Sequence, residues 1–222
     1  MRRRRAFLAG IMCAVGACAT LAAGPPAAAA TPKPVVVKLS ATSGPLAGGT
    51  EVIVTGKFFT KVAKVLFGSA AGSGLKVLSS TRLQVTAPKH AADSVNVQVV
   101  AKAGTSMAVP ADRFTFVAPP SIAIVSPPAG PPAGGTRVTI TGSNFTKVSK
   151  VLFGTKPGTS LSLAARGKIL VTAPPEKDGQ VDVRVVSAYG TSAVVKADHY
   201  TYYTSHCPQP DGEPLRCKLT TG

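Results

Sequence analysis

Two cysteines, Cys207 and Cys217, stand ten residues apart in the tail HCPQPDGEPLRCKL, next to His206. Thiols so placed can close a disulfide, or join an imidazole as thiolate ligands to a metal. A fourth ligand is not evident, so no metal is assigned. In an exported chain the simpler reading is a disulfide. Closing a loop of about ten residues contributes roughly 2–3 kcal/mol by constraining a proline-rich tail with little core of its own.

Acid–base chemistry has few carriers, since His90, His199 and His206 are the only histidines. No nucleophile, base and orienting acid share a neighbourhood. With nine Asp and Glu scattered along the chain, paired carboxylates for glycoside hydrolysis are also lacking. The chain reads as a non-enzyme, with no catalytic residue and no cofactor.

Anion binding has better material. Lys61 and Lys64 lie three apart in TKVAKVLFG, and Lys147 and Lys150 repeat the spacing in TKVSKVLFG. Each pair would form a basic spot beside a strand connection, and two spots on one chain could hold a repeating anionic polymer with avidity. The plainer reading of the same lysines is a solvated loop and edge that discourages pairing with other chains.

Glycine clusters open GPLAGGTEVIVTG at Gly44 and GPPAGGTRVTITG at Gly130. A phosphate-cradling loop needs a Lys and a Ser or Thr after its last glycine, and a helix N-terminus facing the anion. Here Gly48 and Gly49 are followed by Thr50, an acid and a strand pattern. Gly44, Gly48 and Gly49, with Gly130, Gly134 and Gly135, are therefore read as turn residues that accept positive φ.

These residues are carried by a tandem duplication. A shift of 86 residues aligns Gly44 through Val117 with the second copy without a gap. Val52 and Val54 match Val138 and Ile140; Val95, Val97 and Val99 match Val181, Val183 and Val185; Phe114 and Phe116 match Tyr200 and Tyr202. The residues between them are polar or variable, which is the period of half-buried strands. His199 falls in the slot of Arg113 and reads as an outward strand residue, while His90 falls in an inter-strand loop at the place of Glu176. About seven short strands per copy, separated by Gly, Pro and Ser turns, predict an all-β chain of two β-sandwiches.

The run G-P-x-x-G-G-T, a V-x-h-x-G strand (h, apolar), a Phe, V-x-F-G and a closing F-T-F or Y-T-Y occurs in both copies. It resembles the IPT/TIG family over roughly residues 33–203. The resemblance implies immunoglobulin-like sandwiches found in receptor ectodomains, Rel-type transcription factors and bacterial surface proteins. It implies no catalytic residues.

The leader sets the compartment. MRRRR is followed by an uncharged run from Ala6 to Ala23, then GPPAAAA, a secretory signal with cleavage expected after Ala30. Val15-Gly16-Ala17-Cys18 also resembles a lipobox, which would tether the chain through Cys18, and Arg4-Arg5 allows twin-arginine export. The expected organisation is a signal peptide (1–30), two sandwiches (31–118 and 119–204) and a tail (205–222). Loss of the leader removes four arginines and no acid, lowering the formal charge from +16 to +12. Outside a cell such a surface meets anionic lipids, wall polymers or acidic glycans sooner than nucleic acid, and the expected partner is a protein or an anionic envelope polymer or glycan. The expected function is a secreted or envelope binding module; a lipid-anchored surface protein and a secreted effector meeting a host receptor are the alternatives.

Overall fold

The computed structural model describes residues 31–204, and the statements below concern those residues. The signal sequence with Cys18, and the Cys207–Cys217 pair with His206, lie outside the described residues.

Strands form where the sequence alternates. The first copy contains β1 (Val35–Leu39), β2 (Ser43–Pro45), β3 (Glu51–Lys57), β4 (Val62–Phe67) and β5 (Ala70–Ala71). It continues with β6 (Ser73–Ser79), β7 (Arg82–Thr86), β8 (Asp93–Ala101), β9 (Gly104–Thr105) and β10 (Arg113–Val117). The second copy repeats this order as β11 (Ser121–Ser126), β12 (Ala129–Gly130), β13 (Arg137–Ser143), β14 (Val148–Phe153) and β15 (Lys156–Pro157). It ends with β16 (Thr159–Ala165), β17 (Lys168–Thr172), β18 (Gly179–Ser187), β19 (Gly190–Thr191) and β20 (His199–Tyr202). Ten strands per copy exceed the seven expected because two- and three-residue pairings rich in Gly and Ala fall in stretches that read as turns.

Each copy is a two-sheet sandwich. One sheet runs β1-β3-β7-β6, the other β2-β10-β8-β4-β5, with β9 added to β8; the second copy repeats both. Val52 and Val54 stand opposite Val85 and Leu83. They face Val65, Phe67, Val97, Val99, Phe114 and Phe116 across the core, and all are buried. Burying a side chain of this kind contributes about 2 kcal/mol, so the valine-lined faces drive closure of each copy. Val95 and Val181, expected inward, are only half-buried against their cores.

The glycines divide into two uses. Gly48 and Gly49 have φ of +76° and +86°, and Gly134 and Gly135 repeat them at +74° and +85°. Their amides are already engaged: Gly48 donates to Pro45 O at 3.0 Å and Gly49 to Ala87 O at 2.9 Å. No row of free N–H groups is left for a phosphate at this turn. Gly44 and Gly130, read with them as turn residues, instead sit in β2 and β12. There a Cβ would run into Thr50 and Phe114, or into Thr136 and Tyr200.

Candidate functional site

Of the four repeated lysines, Lys61 and Lys147 lie in the loops that lead into β4 and β14, and Lys64 and Lys150 lie within those strands. In each loop two non-glycine residues adopt left-handed backbone: Phe58 and Lys61 at +62° and +50°, Asn144 and Lys147 at +58° and +49°. Such a residue costs about 1 kcal/mol, which the surrounding hydrogen bonds must offset. Lys61 O accepts from Lys102 N at 3.2 Å, and Lys147 O accepts from Ala188 N at the same distance. The loop is thereby tied to the turn between β8 and β9, or between β18 and β19. Lys61, Lys64, Lys147 and Lys150 are all exposed.

The two copies then diverge. In the first, two further exposed lysines border the β8–β9 turn. Lys102 lies in that turn, and the aliphatic stem of Lys33 lies so close to Gly104 that a Cβ there would come within 3.1 Å of it. Lys33, Lys61, Lys64 and Lys102 thus gather at one end of the first sandwich. None is in an ion pair among the described residues, where the ion pairs are Lys156–Glu176 and Asp182–His199. Residues 31–118 carry ten Lys and Arg against three acids, a formal charge of +7.

At the matching end of the second copy, Pro119 and Ala188 replace Lys33 and Lys102, and Tyr189 replaces Ala103. Tyr189 is buried, and its hydroxyl lies 2.9 Å from Ser43 Oγ of the first copy. Lys147 Nζ sits 5.5 Å from the centre of the Tyr189 ring. The hydrogen bond with Ser43, and then Lys147, hold the Tyr189 hydroxyl below the ordinary tyrosine range. Asn144 Nδ2 donates to Pro119 O at 3.2 Å, and a Cβ on Gly190 would lie 3.3 Å from the Pro119 ring. This end has become the joint between copies. Lys147 is drawn into it, so the two basic spots are not equivalent. Lys33 and Lys102 were missed in sequence because they lie outside the matched motif or differ between copies.

The histidines have other surroundings. His90 stacks on Phe116 with centroids 4.7 Å apart. Glu176, at the same place in the second copy, pairs with Lys156 at 3.5 Å. The Lys177 amide, and next the Lys156 charge, hold its carboxyl below the usual range. Tyr203 and Phe58 are exposed, but Tyr203 closes the second copy and Phe58 sits in the first. An open groove of about 650 Å³ runs along Gly142–Thr146, Leu163 and Ala165–Gly167, with Arg166 as its one charge.

The IPT/TIG domain pattern matches residues 34–116 and again 120–202. The human protein Fibrocystin-L is 27% identical over 156 residues, which is 69% of this chain and 4% of that protein. The chain therefore spans a small fraction of that relative's length. Among solved structures, the Plexin A4 extracellular region aligns over 80% of this chain and 16% of its own, at 20% identity and a TM-score of 0.49. SGBP-B from a complex xyloglucan utilization locus in Bacteroides uniformis aligns over 77% of this chain and 50% of its own, at 20% identity and a TM-score of 0.35. With two sandwiches of one topology and both spanned by one domain pattern, the chain belongs to the IPT/TIG domain family, as a tandem pair.

Proposed function

We propose that this chain is an exported, non-enzymatic binding module that holds an anionic envelope polymer, or an acidic protein surface, on the basic end of its first sandwich. The observation that carries the reading is the gathering of Lys33, Lys61, Lys64 and Lys102 around one turn, exposed and without acidic partners among the described residues. Unpaired ammonium groups on a sheet end create a local positive potential that draws anionic partners and speeds their encounter. The second copy supplies Lys150 and, with nine Lys and Arg against four acids over residues 119–204, a further formal charge of +5.

Export is part of the proposal and rests on the basic, apolar and small-residue order of residues 1–30. No helix among the described residues is long and apolar enough to cross a membrane. Mass spectrometry of the mature N-terminus tests this part: Thr31 means free export, and a lipidated Cys18 means a tethered protein.

Retention on an immobilised anionic polysaccharide tests the binding site. Each exposed ion pair contributes a few tenths of a kcal/mol, so replacing Lys33, Lys61, Lys64 and Lys102 by Gln weakens binding on the order of tenfold. The Lys147→Gln, Lys150→Gln pair has a smaller effect, and added salt erases the difference. Equal retention of the wild type and the first-copy variant would remove the basic end as the site.

A further inference from the structure

The second copy carries a cluster that the first does not. On β18 and β20, Asp182 stands opposite His199, and its Oδ1 lies 3.5 Å from His199 Nε2. Asp198, one residue before β20, closes a single 3-10 turn over Lys196–Asp198. One ligand atom from each of Asp182, Asp198 and His199 lies within 4.8 Å of the other two. Asp198 is fully buried; its Oδ2 accepts from Val195 N at 2.9 Å, while its Oδ1 has no hydrogen-bond partner. A buried carboxylate oxygen with nothing bound to it is costly, and here the carboxyl group that carries it stands beside a second carboxylate and an imidazole.

The first copy supplies an internal comparison. Asp112 makes the same bond, from Val109 N to its Oδ2 at 3.0 Å, and its Oδ1 is likewise unpartnered. Burial raises the Asp112 carboxyl, opposed by that backbone bond and then by the charge of Arg113. Arg113 stands opposite Asn96, so this copy has one carboxylate beside one permanent cation. In the second copy Asn96 is replaced by Asp182 and Arg113 by His199. A carboxylate has been added and the permanent cation lost at the same place. Neither Lys nor Arg forms an ion pair with Asp182 or Asp198 among the described residues.

We infer that Asp182, Asp198 and His199 form a binding site for a divalent first-row cation of the Zn²⁺ type. Two oxygens and one imidazole nitrogen are a donor set that such ions accept, with bonds of about 2.0–2.2 Å. Tetrahedral ligands at that distance stand about 3.3 Å apart, so the Asp182–His199 pair at 3.5 Å already fits and the wider separations, up to 4.8 Å, must close by up to about 1.5 Å. Asp182 and His199 can move, since their side chains are 42% and 35% exposed. The same exposure leaves water to complete the shell. Gln180 Nε2 lies 2.6 Å from His199 Nδ1. Turning the Gln180 amide would present its oxygen to an Nδ1–H and free Nε2 for the ion, the usual outer partner of a ligating histidine.

The test measures Zn²⁺ binding to the full chain by equilibrium dialysis, with Cys207→Ser and Cys217→Ser in every sample to silence the tail thiols. The comparison is Asp182→Asn with His199→Arg, residues that the first copy already accommodates at these places. One Zn²⁺ per chain is expected, with a rise in the thermal midpoint on adding the ion. Affinity should fall at least about tenfold in the double variant. Zn²⁺ should also shift the His199 imidazole nitrogen resonances. Absence of Zn²⁺ binding at micromolar concentration would overturn the site. Equal binding by the double variant would overturn it as well, by placing the ion elsewhere.

Discussion

At the residue scale, the two copies test each other position by position. Tyr200 and Tyr202 occupy the core places of Phe114 and Phe116, so each adds one hydroxyl to an apolar interior. Tyr202 donates to Pro174 O at 2.9 Å, whereas the buried Tyr200 hydroxyl has no partner. Tyr202→Phe should therefore cost about 1 kcal/mol, and Tyr200→Phe should be neutral or stabilising, as read from urea midpoints. Burial, then the neighbouring Tyr200, pushes the Tyr202 hydroxyl up to about 12 from an ordinary 10.0. The folded state thus keeps its proton where the unfolded chain loses it. Stability is fully present below the unfolded value and falls as pH rises from 10.0 through about 12. The double Phe variant should lose that alkaline limb, and a pH series of unfolding curves reads it directly.

At the scale of the element, the β2–β3 turn shows that neighbouring glycines need not be equally replaceable. Gly48 and Gly49 both have positive φ, but a Cβ on Gly48 would lie 2.5 Å from the Pro88 carbonyl carbon, while one on Gly49 meets nothing within 4 Å. Gly49→Ala should cost about 1 kcal/mol for backbone strain alone. Gly48→Ala must also displace main chain, and should cost at least about 2 kcal/mol. Denaturant titration of the two variants separates conformational freedom from close approach. Equal losses would mean that the Ala87–Pro88 segment yields readily.

At the scale of the whole molecule, one tyrosine links two independent cores. Tyr189 reaches from the second copy to Ser43 of the first, with Lys147 against its ring. Backbone residual dipolar couplings from both copies should fit one alignment tensor in the wild type. Tyr189→Ala should require two, since it removes the hydrogen bond, the cation–π contact and the buried ring together. One shared tensor in the variant would mean that the Ala118–Pro120 connection alone fixes the geometry. The same joint accounts for the difference between the two basic spots: where the copies meet, Pro119, Ala188 and Tyr189 stand in the places of Lys33, Lys102 and Ala103.

The sandwiches were legible in sequence because a strand's inward period of two survives duplication. Val52, Val54, Val97 and Val99 alternate with residues that differ between copies, and that contrast alone separates core from surface. The glycine turn was legible for the same local reason, since a strand rather than a helix follows it. Gly44 was not, because its need is set by Thr50 and Phe114, and closeness to Phe114 arises only when β2 joins β10. Nor was the cluster around His199: Asp182 is seventeen residues away in the chain and becomes its neighbour only through the pairing of β18 with β20. Sequence by itself determined which faces must be buried, a property of each strand's own alternation. Tertiary structure decided which lysines stay free, which tyrosine joins the copies and which acids meet, because those depend on where separate strands end in space.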